Sequence, residues 1–144
     1  LFQPVAEKDQ VRIVQRLAEN AMISGDKTKI QRAVANLLDN ALKYTPQGGK
    51  VTASVEREDD RVVFSVNNTG PGISELDLPH IFDRFFRGDR SRSQPGTGLG
   101  LNLTLAIARA HGGDVTVTSV LGQGSTFTMS LPRFPLPADS HLFP

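Results

Sequence analysis

The chain has no cysteine, which excludes a disulfide framework, a thiolate zinc site and a cysteine nucleophile at once. It has no apolar run long enough to cross a bilayer, and its first residues, LFQPVAEKDQV, lack the pattern of a signal peptide. Nor does either charge dominate: 16 Lys and Arg stand against 15 Asp and Glu, a formal net charge of +1. So even a balance gives no electrostatic reason to expect a nucleic-acid partner or a polybasic membrane anchor. What remains is a globular composition, 38% hydrophobic and 22% charged over 144 residues. That suits one domain with a real core in a reducing, aqueous compartment.

The opening residues read as the end of a longer element and a short helix. VRIVQRL (11–17) then alternates like a strand, with Val11, Ile13 and Gln15 on one face. Asp26 is a good N-cap for the next stretch, where Ile30, Val34, Leu37, Leu38, Ala41 and Leu42 recur at helical spacing up to Thr45-Pro46. KVTASVER and RVVFSV, joined at Glu58-Asp59-Asp60, predict an antiparallel hairpin over 50–66. A second apolar helix is expected from Leu99 to His111, closed by Gly112-Gly113. DVTVTSV and STFTMSL supply two more strands, and PRFPLPADSHLFP is a Pro-rich tail, residues 133–144. This order predicts an α/β two-layer sandwich, with a mixed, mostly antiparallel sheet of about five strands on about three helices.

Arrangement, not composition, draws attention to the glycines. GPG (70–72), GTGLG (96–100) and GQG (122–124) would each serve as an ordinary turn. The middle cluster, however, runs directly into a helix, where backbone N–H groups and the helix dipole favour a phosphate. No Lys follows it as a Walker A loop requires, and no strand leads directly into it as a dinucleotide fingerprint requires. On the first long helix, Asn36, Asn40, Lys43 and Tyr44 share a side. A solvated face is the plain explanation, but asparagines are poor helix formers, and an amide oxygen is a fitting neutral ligand for Mg²⁺.

Taken in order, NLLDNALKY, NTGPGI, FDRFFR, GTGLGL and GQGSTF resemble the asparagine box, first glycine box, phenylalanine box and second and third glycine boxes of sensor histidine kinase catalytic domains. Those domains have the Bergerat fold, shared with gyrase B, mismatch-repair ATPases and a heat-shock chaperone. The resemblance covers residues 1–132, as one ATP-binding catalytic domain whose ATP lid spans about 74–97. It implies ATP and Mg²⁺ as cofactors, with Asn40 as the metal ligand, Asn36 beside it, and Lys43 and Tyr44 toward phosphates and nucleoside. It implies Gly70, Gly72 and Ile73 as the floor of the adenine pocket, and Phe82, Phe85 and Phe86 as the base of the lid, a spacing equally common in plain core. Arg87, and with it Arg84, would face the γ-phosphate. Gly96, Thr97, Gly98, Leu99 and Gly100 would line the phosphates, and Ser125 would bring a hydroxyl near adenine. Asn40, Lys43 and Arg87 are the residues implied in catalysis.

Two positions depart from, or decide within, that pattern. The first glycine box of the family usually opens with Asp; here it opens with Asn68, as in the heavy-metal-type subgroup. Its amide can still accept from the adenine amino group and donate to N1. One helical turn before the metal-binding Asn, hydrolytic relatives carry a water-activating Glu; here Asn36 stands there and cannot act as a base. The histidines, His80, His111 and His141, lack the HExRTP-like setting of a phosphoacceptor, so all read as structural. The expected partners are therefore the dimerisation and phosphoacceptor domain of the same receptor and a response regulator, with no nucleic acid, and the isolated domain is expected to be monomeric. The resemblance further implies a cytoplasmic domain of an inner-membrane receptor. A Bergerat-fold ATPase or a degenerate nucleotide-sensing module is the alternative.

Overall fold

A computed structural model describes residues 12–17, 25–83 and 100–133. Five strands, β1 (Arg12–Leu17), β2 (Lys50–Glu58), β3 (Arg61–Thr69), β4 (Asp114–Val120) and β5 (Gly124–Pro132), form one sheet in the order β1-β2-β3-β5-β4. Only β1 and β2 run parallel; the other neighbours are antiparallel. Parallel neighbours cannot be joined by a tight hairpin, and the chain between them carries the first helix, α1 (Lys27–Tyr44).

Asp26 caps α1 by accepting the Lys29 N–H at 3.1 Å, and Thr45 closes it, its hydroxyl turned back to the Ala41 carbonyl at 2.6 Å. Between the caps, Ala33, Leu37 and Ala41 recur every fourth residue and are fully buried, the stripe that fixes which face meets the sheet. The second helix, α2 (Gly100–Ala110), buries Thr104, Ile107 and Ala108. The Thr104 hydroxyl donates to the Gly100 carbonyl at 2.8 Å, so this buried polar group is satisfied within its own helix. Gly112 and Gly113 end α2 as expected: Gly113 N–H reaches the Ala108 carbonyl and Gly112 N–H the Arg109 carbonyl, at 2.9 and 3.0 Å.

His111 ties the two helices together. The Asp26 N–H can only donate, so Nε2 accepts it at 3.0 Å, and Nδ1–H must then donate to the Ile107 carbonyl at 2.8 Å. Its role is structural, at the start of α1 and the end of α2.

The sheet's inner face carries Val51, Ala53, Phe64, Val66, Val115, Phe127, Met129 and Leu131 against both helices. The opposite face is polar at the matching positions, among them Thr52, Ser54, Ser65, Asn67, Thr126 and Thr128. The two-layer sandwich of about five mostly antiparallel strands is thus observed. Its helical side, among the described residues, has two α-helices and a 3₁₀ turn, Leu78–His80. Strand β3 runs three residues past the expected end of the hairpin at Val66. Asn67 and Asn68 disfavour strands on their own, but ladder partners on both sides override that preference, and the Asn67 amide bonds the Ser125 carbonyl and the Thr126 hydroxyl. The short helix expected before residue 11 and the Pro-rich tail beyond residue 133 lie outside the described residues.

Candidate functional site

Register explains where polar chemistry gathers. Reading across the inner face, Val55, Phe64, Met129 and Val115 form one row, and Ala53, Val66, Phe127 and Val117 the next. Both are apolar. The row after that is Val51, Asn68, Ser125 and Ser119. Alternation continues unbroken, yet the inward side chains of three strands turn polar together. Asn68 is only 3% exposed and Ser125 5%, so these groups sit in the interior and require partners.

A cavity opens over this row, lined by Asn40, Tyr44, Asn68, Gly72, Ile73, Ser125 and Phe127. Asn40 and Tyr44 reach it from α1, one helical turn apart; Asn68, Ser125 and Phe127 rise from the sheet. Gly72 and Ile73 come from the corner after β3, which is clipped to the β4–β5 turn. Gly70 N–H donates to the Gln123 carbonyl at 3.2 Å, and Gly122 N–H to the Pro71 carbonyl at 3.0 Å. Ile73 N–H donates to the Ser119 hydroxyl at 2.7 Å. The first and third glycine clusters are therefore one structure, each supplying donors or acceptors to the other. Gly72 is needed there: its φ is +77°, and a Cβ would lie 2.7 Å from the Val120 carbonyl oxygen.

The cavity is polar but not ionised. Among the described residues, the Asn40 amide has no hydrogen-bond partner, and the Asn68 amide meets only the Thr69 carbonyl, at 3.5 Å. Ser119 accepts from Ile73, lies 3.1 Å from the Gly124 carbonyl, and lies 3.1 Å from the Ser125 hydroxyl. Phe127 closes the floor and meets Phe82 edge to face, ring centroids 6.4 Å apart.

Not every expected site residue is here. Asn36 reaches the first turn of α2 instead, its amide donating to the Gly100 carbonyl at 3.4 Å. Lys43 does not line the cavity and forms an ion pair with Asp39 at 3.0 Å. Gly70 shapes the corner without lining the cavity. Gly100 is the first described residue of α2, and the start expected at Leu99 lies outside the described residues. Arg84, Phe85, Phe86, Arg87, Gly96, Thr97, Gly98 and Leu99 lie outside the described residues. Phe82 packs against the hydrophobic core, and Asn102 of α2 donates to its carbonyl at 3.1 Å, fastening the end of the 3₁₀ segment to the helix. Sequence reasoning missed Ser119, which orients the corner. The signal was available: in DVTVTSV it is the one polar residue at an inward position. Asn102 had no comparable signal. Among the described residues no group of three or more His, Cys, Asp or Glu is gathered as a metal site, and no helix is long and apolar enough to cross a membrane.

Comparison with known proteins bears on this arrangement. Residues 25–135 match the family model described as histidine kinase-, DNA gyrase B-, and HSP90-like ATPase. The sensor histidine kinase WalK of Bacillus subtilis is 37% identical over 133 residues, covering 89% of this chain and 22% of that protein. The chain thus spans about a quarter of the length of such curated relatives. Among solved structures, full-length ShkA in complex with AMPPNP superposes with a TM-score of 0.82 at 31% identity, over 95% of this chain and 28% of that one. Histidine kinase ThkA in complex with the response regulator TrrA gives 0.75 at 26% identity, over 92% and 37%.

Proposed function

The chain belongs to the histidine kinase-, DNA gyrase B- and HSP90-like ATPases, as a catalytic domain of the sensor histidine kinases, and we propose that its cavity binds ATP for transfer of the γ-phosphate to a histidine on a separate domain. The observation that supports this most is the polar row Asn68–Ser125–Ser119 at the end of an apolar sheet face, met by Asn40 and Tyr44 from α1. A heteroaromatic base would set its polar edge against that row and its faces against apolar side chains. Ile73 and Phe127 would flank the purine, while the Asn68 amide would accept from its 6-amino group and donate to N1.

The half-buried Asn40 amide, unpartnered among the described residues, fits a Mg²⁺ ion carried in with the triphosphate, since a neutral oxygen donor suits a metal that keeps several waters. Such an ion, when bound, would neutralise charge on the phosphate oxygens. Lys43 and Arg87 are assigned to the same task from the protein side, and Arg84 and the 96–100 glycine segment to holding the phosphates. In the transfer, the bond from the γ-phosphorus to the bridging oxygen breaks as a bond to an imidazole nitrogen forms, and ADP leaves. Asn36 cannot take a proton from water and is engaged by Gly100, which favours an external nucleophile over hydrolysis. We assign that nucleophile to the dimerisation domain of the same receptor and the next acceptor to a response regulator, in line with the ThkA complex. The assembled protein would be membrane-bound, with this domain cytoplasmic and monomeric when isolated.

Calorimetry with and without Mg²⁺ tests the reading. ATP should bind the purified chain, Asn40→Ala should remove the dependence on metal, and ATP should persist unhydrolysed until a histidine-bearing domain is added. Sustained turnover by the chain alone, abolished by Asn40→Ala, would instead establish an ATPase.

A further inference from the structure

Every polar side chain lining the cavity can both donate and accept. Asn40 and Asn68 are carboxamides, Tyr44 and Ser125 are hydroxyls, and no ionised side chain lines it among the described residues. What matters for base selection is whether neighbours lock those groups into one polarity, and they do not.

Asn68 is the deciding case. It is buried at 3% exposure, yet its only hydrogen bond among the described residues is the 3.5 Å contact to the Thr69 carbonyl, at the outer limit of hydrogen-bond length. Its Oδ1 has no partner there. A half-turn of the amide about its last torsion, which is two-fold and broad, exchanges Oδ1 and Nδ2 and gives up only that long contact to the Thr69 carbonyl. Ser125, opposite Asn68 in the ladder, is equally unfixed. Ser119 already accepts the Ile73 N–H at 2.7 Å and can give its own proton to the Gly124 carbonyl at 3.1 Å. The Ser125 hydroxyl, 3.1 Å from Ser119, is then free to point its proton at Ser119 or into the cavity.

We propose that this pocket accepts 6-oxo as well as 6-amino purine nucleotides, with Asn68 as the residue that permits both. The proposal rests on the ATP-site reading above. Toward a 6-aminopurine, Oδ1 accepts from the amino group and Nδ2 donates to N1. Toward a 6-oxopurine, the flipped amide donates to O6 and accepts from N1–H. A carboxylate at the same position could only accept and would face O6 with like polarity.

Three nucleotides separate the possibilities in calorimetry on the unmodified chain with Mg²⁺: ATP, inosine triphosphate, and purine riboside triphosphate, which lacks any 6-substituent. Inosine triphosphate carries the 6-oxo edge without the extra 2-amino group of guanine, so shape is held constant. The expected result is inosine triphosphate within about fivefold of ATP, and purine riboside triphosphate weaker than both by more than that, since it leaves Asn68 half-paired. In Asn68→Asp, inosine triphosphate should fall more than about tenfold below ATP. Inosine triphosphate more than about fivefold weaker than ATP on the unmodified chain overturns the proposal while leaving the ATP site intact. Purine riboside triphosphate binding as well as ATP also overturns it, because the pocket then ignores that edge. Failure of all three to bind removes the ATP reading itself.

Discussion

Gly122 and Gly124 flank one turn and make a controlled comparison. Both have positive φ, +81° and +140°, so alanine is strained at either. Only their surroundings differ. A Cβ on Gly122 meets nothing within 4 Å, whereas one on Gly124 would lie 1.9 Å from the Asn68 carbonyl oxygen and 3.1 Å from the Thr69 Cα. Those are backbone atoms of the paired strand and cannot swing aside as a side chain would. Gly122→Ala should therefore lose only the left-handed penalty, about 1–2 kcal/mol. Gly124→Ala carries a backbone penalty of about 1–3 kcal/mol and must also part β3 from β5. Forcing atoms into a packed region adds a further 1–3 kcal/mol or so, for a total of about 2–6 kcal/mol against a typical stability of 5–15 kcal/mol. Because the strands part beside Asn68 and Ser125, nucleotide affinity should fall as well, while Gly122→Ala keeps it within a few-fold. Urea unfolding and calorimetry on both variants provide the check. Equal stability losses, or a Gly124→Ala variant that binds ATP as the parent does, would refute the close approach of these strands as the organiser of the site.

Asn68→Leu should cost about 1–3 kcal/mol of ATP binding, by stranding the polar edge of the base; undiminished affinity in calorimetry would move the base elsewhere. His111→Ala should destabilise the fold by about 1–3 kcal/mol in urea, since the Asp26 N–H loses its acceptor and a packed ring is removed. Its ATP affinity, measured well below the unfolding transition, should stay near the parent value, and a selective loss of binding would give His111 a role at the site. Arg87→Ala should weaken ATP more than ADP, because its assigned partner is the γ-phosphate; parallel losses for the two nucleotides would dissociate it from that phosphate.

Much of this was legible in the residues because the local and the long-range signals agree. The spacing of Ile30, Val34, Leu37, Leu38, Ala41 and Leu42 marks α1 as a helix, and the Asp26 cap and Gly112-Gly113 each name an element boundary, through mechanisms legible in the local sequence. Where only a partner decides, reading stopped short. Asn67 and Asn68 look like the end of a strand, and remain in it because β2 and β5 pair on either side. Helical spacing put Asn36, Asn40, Lys43 and Tyr44 on one side, but not which neighbour each would meet. Asn36 met the Gly100 carbonyl and Lys43 met Asp39. The five quoted boxes identified the family without fixing which of their residues line the cavity. The heavy-metal-type likeness rests on Asn68 alone.

The polar row also explains why stability and binding should pull against each other here. Burying an amide or hydroxyl without a partner costs roughly 1–3 kcal/mol by mutational measure, so a sheet optimised for folding alone would end its inner face in Val or Leu. Ser119 escapes the cost through its bonds to Ile73 and Gly124. Ser125 escapes it in part through Ser119. Among the described residues Asn68 is left with one long contact, to the Thr69 carbonyl. A bound purine would satisfy the amide there. An amide whose pairing a bound purine would complete makes that difference in pairing available as binding free energy.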